Sequence, residues 1–242
     1  MTNFEAFFLV IFCAFSVAAP APGAAQGAGA KAPLSIQLGA VRLQSASLFD
    51  ALVAARQRNP EEILFGFVEL PSQQQRVSLS LDSATLGEYL GHLTSSFPQY
   101  NVAVSSTGIV HIDPRSPSPA EDILRVKVAR FEIHGHRAIG DVITHLTLEV
   151  PELRALVYPR QGGTVGASVS GGMEPKVDLK ASNVTVRELL DMLSLYSAQL
   201  SRRPENLPKS GPPPPPVSWK VSFHEDPRAE NALGGYPELS TF

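Results

Sequence analysis

The sequence predicts an α+β fold made of two tandem modules, each with the order β-α-β-β-α-β-β and two helices packed between small sheets. Three observations predict it. A segment that begins at Val77 is repeated at Val177, four segments share the apolar spacing of amphipathic helices, and short strand-like segments flank them. The repeat pairs "VSLSLDSATLGEYLGHL" with "VDLKASNVTVRELLDML", which agree at six positions, a threonine and a glutamate among them.

Residues 1–25 are predicted to be a secretory signal peptide. An apolar run of 13 residues, Phe7 to Ala19, precedes small residues and prolines. It is shorter than the roughly 20 residues of a membrane span. Cleavage is expected at Gly23-Ala24-Ala25, and a buried N-terminal helix is the alternative. Cys13 is the only cysteine and lies in this segment, so the mature chain is expected to have no disulfide, thiolate or cysteine-based zinc chemistry.

The charge balance argues against nucleic acid as a binding partner. Glu5 is the only charged residue before Lys31. The mature chain therefore keeps all 20 Lys and Arg and 22 Asp and Glu, one acid fewer than the 23 of the whole chain. A near-neutral chain without a basic or basic–aromatic cluster lacks the charge that phosphate binding needs.

The four helices are predicted from apolar residues at the spacing i, i+3, i+4, i+7. Such a stripe holds a short helix against a sheet, because each large apolar side chain contributes roughly 1.5–3 kcal/mol when buried. In chain order the stripes are Leu48/Ala51/Leu52/Ala55, Leu86/Tyr89/Leu90/Leu93, Ile139/Val142/Ile143/Leu146 and Val186/Leu189/Leu190/Leu193.

Three of these helices are predicted to begin with a capping box, a hydroxyl followed three residues later by an acid. The third helix has Asp141, but Ala138 stands in place of the hydroxyl, so it is expected to be the least well capped. Because the pairs recur in both modules, they are interpreted as helix starts and not as catalytic groups. The pairs are Ser47 with Asp50, Thr85 with Glu88, and Thr185 with Glu188.

The first module is predicted to cover residues 34–113. Its two helices alternate with strands, and the last two strands form a hairpin across residues 105–108. Residues 114–122, "PRSPSPAED", are predicted to be a linker. The strands are predicted at 36–43, 63–70, 76–81, 100–104 and 109–112.

The second module is predicted to cover residues 123–223 with the same order. Its first strand is predicted at 126–133, and "LRALVY" (153–158) is predicted to be the strand after its first helix. Spacing differences between the modules place insertions at 162–172, a glycine-rich loop without a P-loop ending, and at 201–216. The second insertion ends in five prolines, interpreted as a stiff spacer.

The end of the second module predicts a candidate partner-binding edge. "WKVSF" (219–223) aligns with "YNVAV", but no counterpart of "IVHI" follows, and residues 224–242 are predicted to be an irregular tail. Without a final strand, Trp219, Val221 and Phe223 would lie on an edge that accepts a strand from a partner. Alternatively, residues 236–242 fold back and cover that edge.

The segment "RVSLSLDSATLGEYLGHLTSSFPQYNVAVSSTGIVHIDP" resembles the secretin and TonB short N-terminal domain (STN domain). That family has an alternating strand, a short loop, a leucine-rich amphipathic helix and a hairpin ending in a phrase like "IVHI". Residues 177–193 with 217–223 resemble a second, degraded copy, and the whole order is similar to the first periplasmic domain of secretins.

This resemblance implies a non-enzymatic, exported protein, periplasmic or secreted, that binds a protein partner of the bacterial envelope. It also implies a candidate link to a secretin or TonB-dependent system. The modules are followed by no long run of alternating strands, so pore and receptor activities are not implied. No cofactor is expected.

A metal site is the competing hypothesis. His134 and His136 of "HGH" would lie on one side of an extended segment, with His145 on the following helix, and three such side chains could bind a metal or serve a metal-dependent enzyme. A polar strand-to-helix turn explains the same residues. His92 and His111 are expected to face solvent.

Overall fold

The computed structural model describes residues 32–71, 74–134, 139–157, 178–202, 215–227, 231, 233 and 235–242. The predicted signal peptide, the glycine-rich insertion and Ala138 lie outside these residues, as does most of the second insertion. The described part contains seven α-helices and nine β-strands in small sheets, so the predicted α+β class is confirmed. None of these helices is long and apolar enough to cross a bilayer.

The first half of the chain has the predicted element order. A 3-10 turn at Pro33–Ser35 precedes it. The elements are β1 (Gln37–Ala46), α1 (Leu48–Arg58), β2 (Phe65–Val68), β3 (Val77–Thr85), α2 (Leu86–Ser96), β4 (Tyr100–Val104) and β5 (Val110–Pro114).

The second half contains three more short helices than the first half has in the corresponding places. The elements are α3 (Pro119–Arg125), β6 (Lys127–His134), α4 (Ile139–Thr144), α5 (Leu146–Glu149), α6 (Pro151–Val157), β7 (Asp178–Thr185), α7 (Val186–Ser201), β8 (Trp219–Glu225) and β9 (Gly235–Thr241).

All four predicted stripes are buried, which confirms the apolar spacing as the signal that positions the helices. The third stripe is divided between two helices, because α4 ends at Thr144 and Leu146 belongs to α5. His145 lies at the junction as the N-cap of α5 and makes no side-chain cap hydrogen bond there.

The predicted linker at 114–122 is wrong, because structured elements occupy both of its ends. β5 extends to Pro114, and α3 begins at Pro119. The hydroxyl of Ser118 caps α3 by accepting from the Glu121 amide at 3.3 Å. Proline suits the first helical position, where its missing N–H costs nothing. Three buried side chains then hold α3 in the core: Ala120, Ile123 and Leu124.

The predicted strand at 153–158 is also wrong, because α6 covers Pro151–Val157. Its buried side chains are Leu153 and Val157, four residues apart, which is a helical spacing and not an alternating one. Pro151 starts this helix as Pro119 starts α3.

The chain end is not an irregular tail, because β9 pairs antiparallel with β8. The pairing runs from Trp219 opposite Thr241 to Glu225 opposite Gly235. On its other side β8 pairs parallel with β2, at Gly66–Trp219 and Val68–Val221. Both edges of β8 are thus occupied, and the open edge predicted at Trp219, Val221 and Phe223 does not exist. The alternative in which the last residues fold back matches the structure.

The two halves repeat one pairing pattern outside the shared sheet. β1 pairs antiparallel with β3, with Gln37 opposite Thr85. In the same way β6 pairs antiparallel with β7, with Lys127 opposite Thr185. The first amide of the helix that follows is held in the same way in each half: Leu86 N donates to Ile36 O at 2.8 Å, and Val186 N donates to Val126 O at 3.0 Å.

A single five-stranded sheet joins the halves, with the order β4-β5-β2-β8-β9. Alternate residues of β5 face opposite sides of it. Val110 and Ile112 pack with α1 and α2, whereas His111 and Asp113 contact α7. The described residues from 32 onward form one compact unit. The sheet therefore places first-half helices on one face and second-half helices on the other.

Candidate protein-interaction surface

The predicted hydroxyl–acid pairs build three complete capping boxes. The Asp50 amide donates to Ser47 Oγ at 3.1 Å, and the Ser47 amide donates to Asp50 Oδ2 at 3.1 Å. In the second box the Glu88 amide donates to Thr85 Oγ1 at 3.2 Å, and the Thr85 amide donates to Glu88 Oε2 at 2.8 Å. In the third box the Glu188 amide donates to Thr185 Oγ1 at 3.2 Å, and the Thr185 amide donates to Glu188 Oε2 at 2.6 Å.

These hydrogen bonds stabilise the charged form of each acid. The pKa of Asp50 is lowered mainly by the hydrogen bond from the Ser47 hydroxyl and next by the hydrogen bond from the Ser47 amide. The pKa values of Glu88 and Glu188 are lowered first by the backbone amides of Thr85 and Thr185 and then by their hydroxyls. Each carboxylate thus interacts with its own helix start, which is a structural use of the repeated residues.

The metal hypothesis remains a prediction, because His136 and the side chain of His134 lie outside the described residues. His145 is described, and its Nδ1 donates to the backbone carbonyl of Asp141 at 2.8 Å. Asp141 itself lies in the first turn of α4. Among the side chains that the structure does describe, no group of three His, Cys, Asp or Glu could bind a metal.

Sequence reasoning missed a polar cluster buried between the halves, which we call the Asp191 cluster. One carboxylate oxygen of Asp191 accepts from Trp219 Nε1 at 2.9 Å and lies 3.0 Å from His111 Nε2. Because a carboxylate only accepts, His111 Nε2 carries the hydrogen. Arg187, one helical turn before Asp191, binds Asp113 with both terminal nitrogens at 3.0 and 2.9 Å.

The prediction that His111 faces solvent is wrong, since only 7% of the residue is exposed. Its alternation with Val110 and Ile112 correctly places it on the second face of the sheet, but α7 covers that face. The spacing of four between Arg187 and Asp191 was the available signal, because it puts both charges on one side of a predicted helix.

Gly66 allows this cluster to form. A Cβ at this position would lie 2.3 Å from Trp219 Cζ2 and 2.7 Å from His111 Cδ2. Because real Cβ atoms do not approach other atoms so closely, only glycine lets both rings cross β2 here. The Arg187 guanidinium lies 5.8 Å from the centroid of the Trp219 ring and completes the contact.

A surface cleft of about 450 Å³ opens beyond the end of β2, beside the last four residues of β8. Its ionisable side chains include Glu69, whose carboxylate lies 3.0 Å from Lys220 Nζ, and His224, whose Nε2 lies 2.9 Å from Glu238.

Most strand edges in the structure carry a feature that discourages pairing with another chain. β9 contains Pro237 and Glu238, and the β1–β3 pair has three register shifts, with positive φ at Gly39 and Ser45. β6 and β7 have charged residues along their length: Lys127, Arg130, Glu132, Asp178 and Lys180.

β4 is the exception and forms one edge of the five-stranded sheet. Its sequence, "YNVAV", has no charge and no proline, and its pairing with β5 has no register shift. Val104 on β4 is 39% exposed, and Leu34 is 37% exposed; among the described residues these are the exposed large apolar side chains. We call Leu34, Val102, Ala103 and Val104 the β4 edge patch.

The two exposed apolar side chains of this patch lie at the same end of the molecule. Pro33 Cγ would be 3.9 Å from a Cβ built on Gly108, in the turn between β4 and β5. The 3-10 turn that carries Leu34 therefore packs beside the turn that follows Val104. An unprotected strand edge next to exposed apolar side chains is typical of a protein-binding surface.

No protein-family model, curated protein or solved structure matches this chain.

Proposed function

We propose that this is an exported protein of the bacterial envelope that acts as a non-enzymatic protein-binding module of the STN type. The observation that supports this proposal most directly is the arrangement of strands and helices in the first half of the chain. β1 and β3 form one small sheet, β4, β5 and β2 lie together in another, and the capped helices α1 and α2 pack between them. Two helices between small sheets is the arrangement that the sequence resemblance implies.

The use of polar residues supports a binding role over a catalytic one. The acids repeated between the halves are engaged at helix starts. The buried and part-buried ionisable groups of the Asp191 cluster pair with one another across the sheet, which holds the halves together. The proposed activity therefore belongs to the surface of the protein.

Export is tested by expressing the full 242-residue chain with a C-terminal tag in a Gram-negative bacterium. We expect the tagged protein in the periplasmic fraction, with its N-terminus after residue 25. Phe12→Lys, which places a charge in the apolar run, is the matched control and should remain uncleaved in the cytoplasm. A full-length wild-type chain that stays in the cytoplasm would contradict the proposal.

Partner binding is tested separately by chemical cross-linking in intact cells of the source organism, followed by identification of the adduct. We expect an adduct with a component of a secretin or TonB-dependent system. A periplasmic protein that forms no adduct with another envelope protein contradicts the adaptor role and leaves export intact.

A further inference from the structure

The backbone of β4 offers two residues for pairing on its free side. Gln99 O accepts from Arg115 N, and Ser105 N donates to Ile109 O, so the odd-numbered residues of this strand bond to β5. The even-numbered residues therefore point their N–H and C=O groups outward. Tyr100 is already engaged there, because its amide donates to Phe97 O and its carbonyl accepts from Arg115 Nε.

Val102 and Val104 are the two positions left for a new strand. Their side chains lie on the α1–α2 face of the sheet, where Val102 packs against the core and Val104 remains exposed. Ala103, between them, is exposed on the opposite face. The free edge is thus short and centred on a small residue.

The charge of the edge favours a copy of itself as the occupant. A two-fold contact sets the residue on the axis against the same residue of the second copy, so a charge there would face a like charge. β4 has no Asp, Glu, Lys, Arg or His, and the turn after it, residues 105–108, has none either. Self-association through this edge therefore meets no like-charge repulsion within the strand.

We propose that β4 pairs antiparallel with β4 of a second copy, about a two-fold axis at Ala103. Val102 then lies opposite Val104 of the second copy, and the reverse pair forms by symmetry. Each pair exchanges two backbone hydrogen bonds, so all four outward groups of each strand edge are used. The five-stranded sheet becomes a continuous ten-stranded sheet across the dimer.

The pairing also covers Val104, one of the two exposed large apolar side chains of the described residues. Val104 packs beside Val102 of the second copy on one face, as β-branched residues do across antiparallel strands. The two alanines lie at a non-hydrogen-bonded pair, with Cα atoms about 4.5 Å apart. This inference does not depend on the proposed function, because it uses only the backbone and side chains of β4.

A charge exchange at residue 103 tests the axis directly. The protein purified from full-length expression should have twice the mass of one chain in sedimentation equilibrium. Ala103→Glu and Ala103→Lys should each weaken the dimer by at least about tenfold, because like charges meet at the axis. An equimolar mixture of the two should restore the dimer, since opposite charges then meet. Ser80→Lys, at an exposed position on β3, is the matched control and should leave the dimer intact.

A cysteine variant gives a second readout, which does not require the dimer to be disrupted. In a Cys13→Ser background, Ala103→Cys places the only thiol at the axis, within the Cα range that a disulfide spans. Mild oxidation should give a covalent dimer, and Ser80→Cys should give much less.

Three results overturn the proposal. The first is a wild-type chain that is monomeric at all concentrations and forms no disulfide through residue 103. The second is a dimer that persists in both charge variants. The third is a monomer whose residue 103, carrying a photo-cross-linker, traps a different envelope protein; that result would leave the proposed function standing.

Discussion

Trp219 donates its indole N–H to the carboxylate of Asp191 over 2.9 Å, and both residues are buried. The same oxygen lies 3.0 Å from His111 Nε2, so one acceptor serves a donor from each half of the chain. Removing that acceptor leaves two buried donors without a partner, and each such donor costs about 1–3 kcal/mol.

Asp191→Ala is therefore expected to lower the free energy of unfolding by roughly 2–5 kcal/mol. Asp191→Asn keeps an amide oxygen as acceptor and should lower the free energy of unfolding by a smaller amount. Urea unfolding followed by the fluorescence of Trp219, the only tryptophan, measures both. The exposed Asp82 provides the control, and Asp82→Ala should stay within about 0.5 kcal/mol of wild type. Equal stability of the Asp191 and Asp82 variants would contradict the role of the cluster.

Gly66→Ala and Gly91→Ala are expected to have opposite effects. At Gly66 the added Cβ overlaps Trp219 and His111, so the free energy of unfolding should fall by about 1–3 kcal/mol or more. Gly91 is exposed within α2 and has nothing within 4 Å of a Cβ, so alanine there should stabilise by about 0.5–1 kcal/mol. Thermal unfolding of the two variants beside wild type checks the prediction, and a shift of the same sign in both would contradict it.

Glu188→Gln is expected to change stability in a pH-dependent way. The pKa of Glu188 is lowered in the folded state, so its charge stabilises the fold above the ordinary pKa of 4.5. That contribution is lost as the pH falls through the folded-state pKa. At neutral pH the variant should lose about 0.3–1 kcal/mol, a small amount because solvent screens the exposed carboxylate.

The measurement is urea unfolding of Glu188→Gln and wild type from about pH 3 to pH 7. The difference between them should be constant near neutrality and should shrink toward acid. The exposed Glu238, whose carboxylate lies 2.9 Å from His224 Nε2, lies outside any helix cap, and Glu238→Gln is the comparison variant. A difference that grows as the pH falls would have the wrong sign for a lowered pKa.

The two halves are expected to unfold together. β2 and β8 pair within one sheet, and the Asp191 cluster lies between the halves, so neither half keeps its hydrogen bonds alone. Far-UV circular dichroism, Trp219 fluorescence and calorimetry should report one coincident transition. Two resolved transitions, one without a change in Trp219 fluorescence, would show that the first half unfolds independently.

Sequence reasoning succeeded where the determinants are local. The capping boxes at Thr85 and Thr185 depend on residues three apart, and the buried stripes depend on one helical period. The hairpin of β4 and β5 also forms within a few residues of its turn. Each of these features can be recognised without knowing what the rest of the chain does.

Two of the errors, at β9 and at His111, arose where distant segments decide the outcome. β9 contains Pro237, which weakens a strand pattern, and it forms because β8 offers an edge. His111 is buried only because α7, some eighty residues later, covers its face of the sheet. Alternation in β5 distinguishes the two faces of a strand but does not indicate whether each face meets water or protein.

The position of β2 in the middle of the sheet has a consequence for biosynthesis. Gly66 leaves the ribosome about 150 residues before its neighbour Trp219. At bacterial or eukaryotic translation speeds this interval lasts roughly 8–30 s. During that time the nascent chain presents one bare side of an apolar strand, which is a binding site for chaperones. A truncated product without its last 25 residues would keep that side bare, and quality-control proteases would recognise it as unfinished.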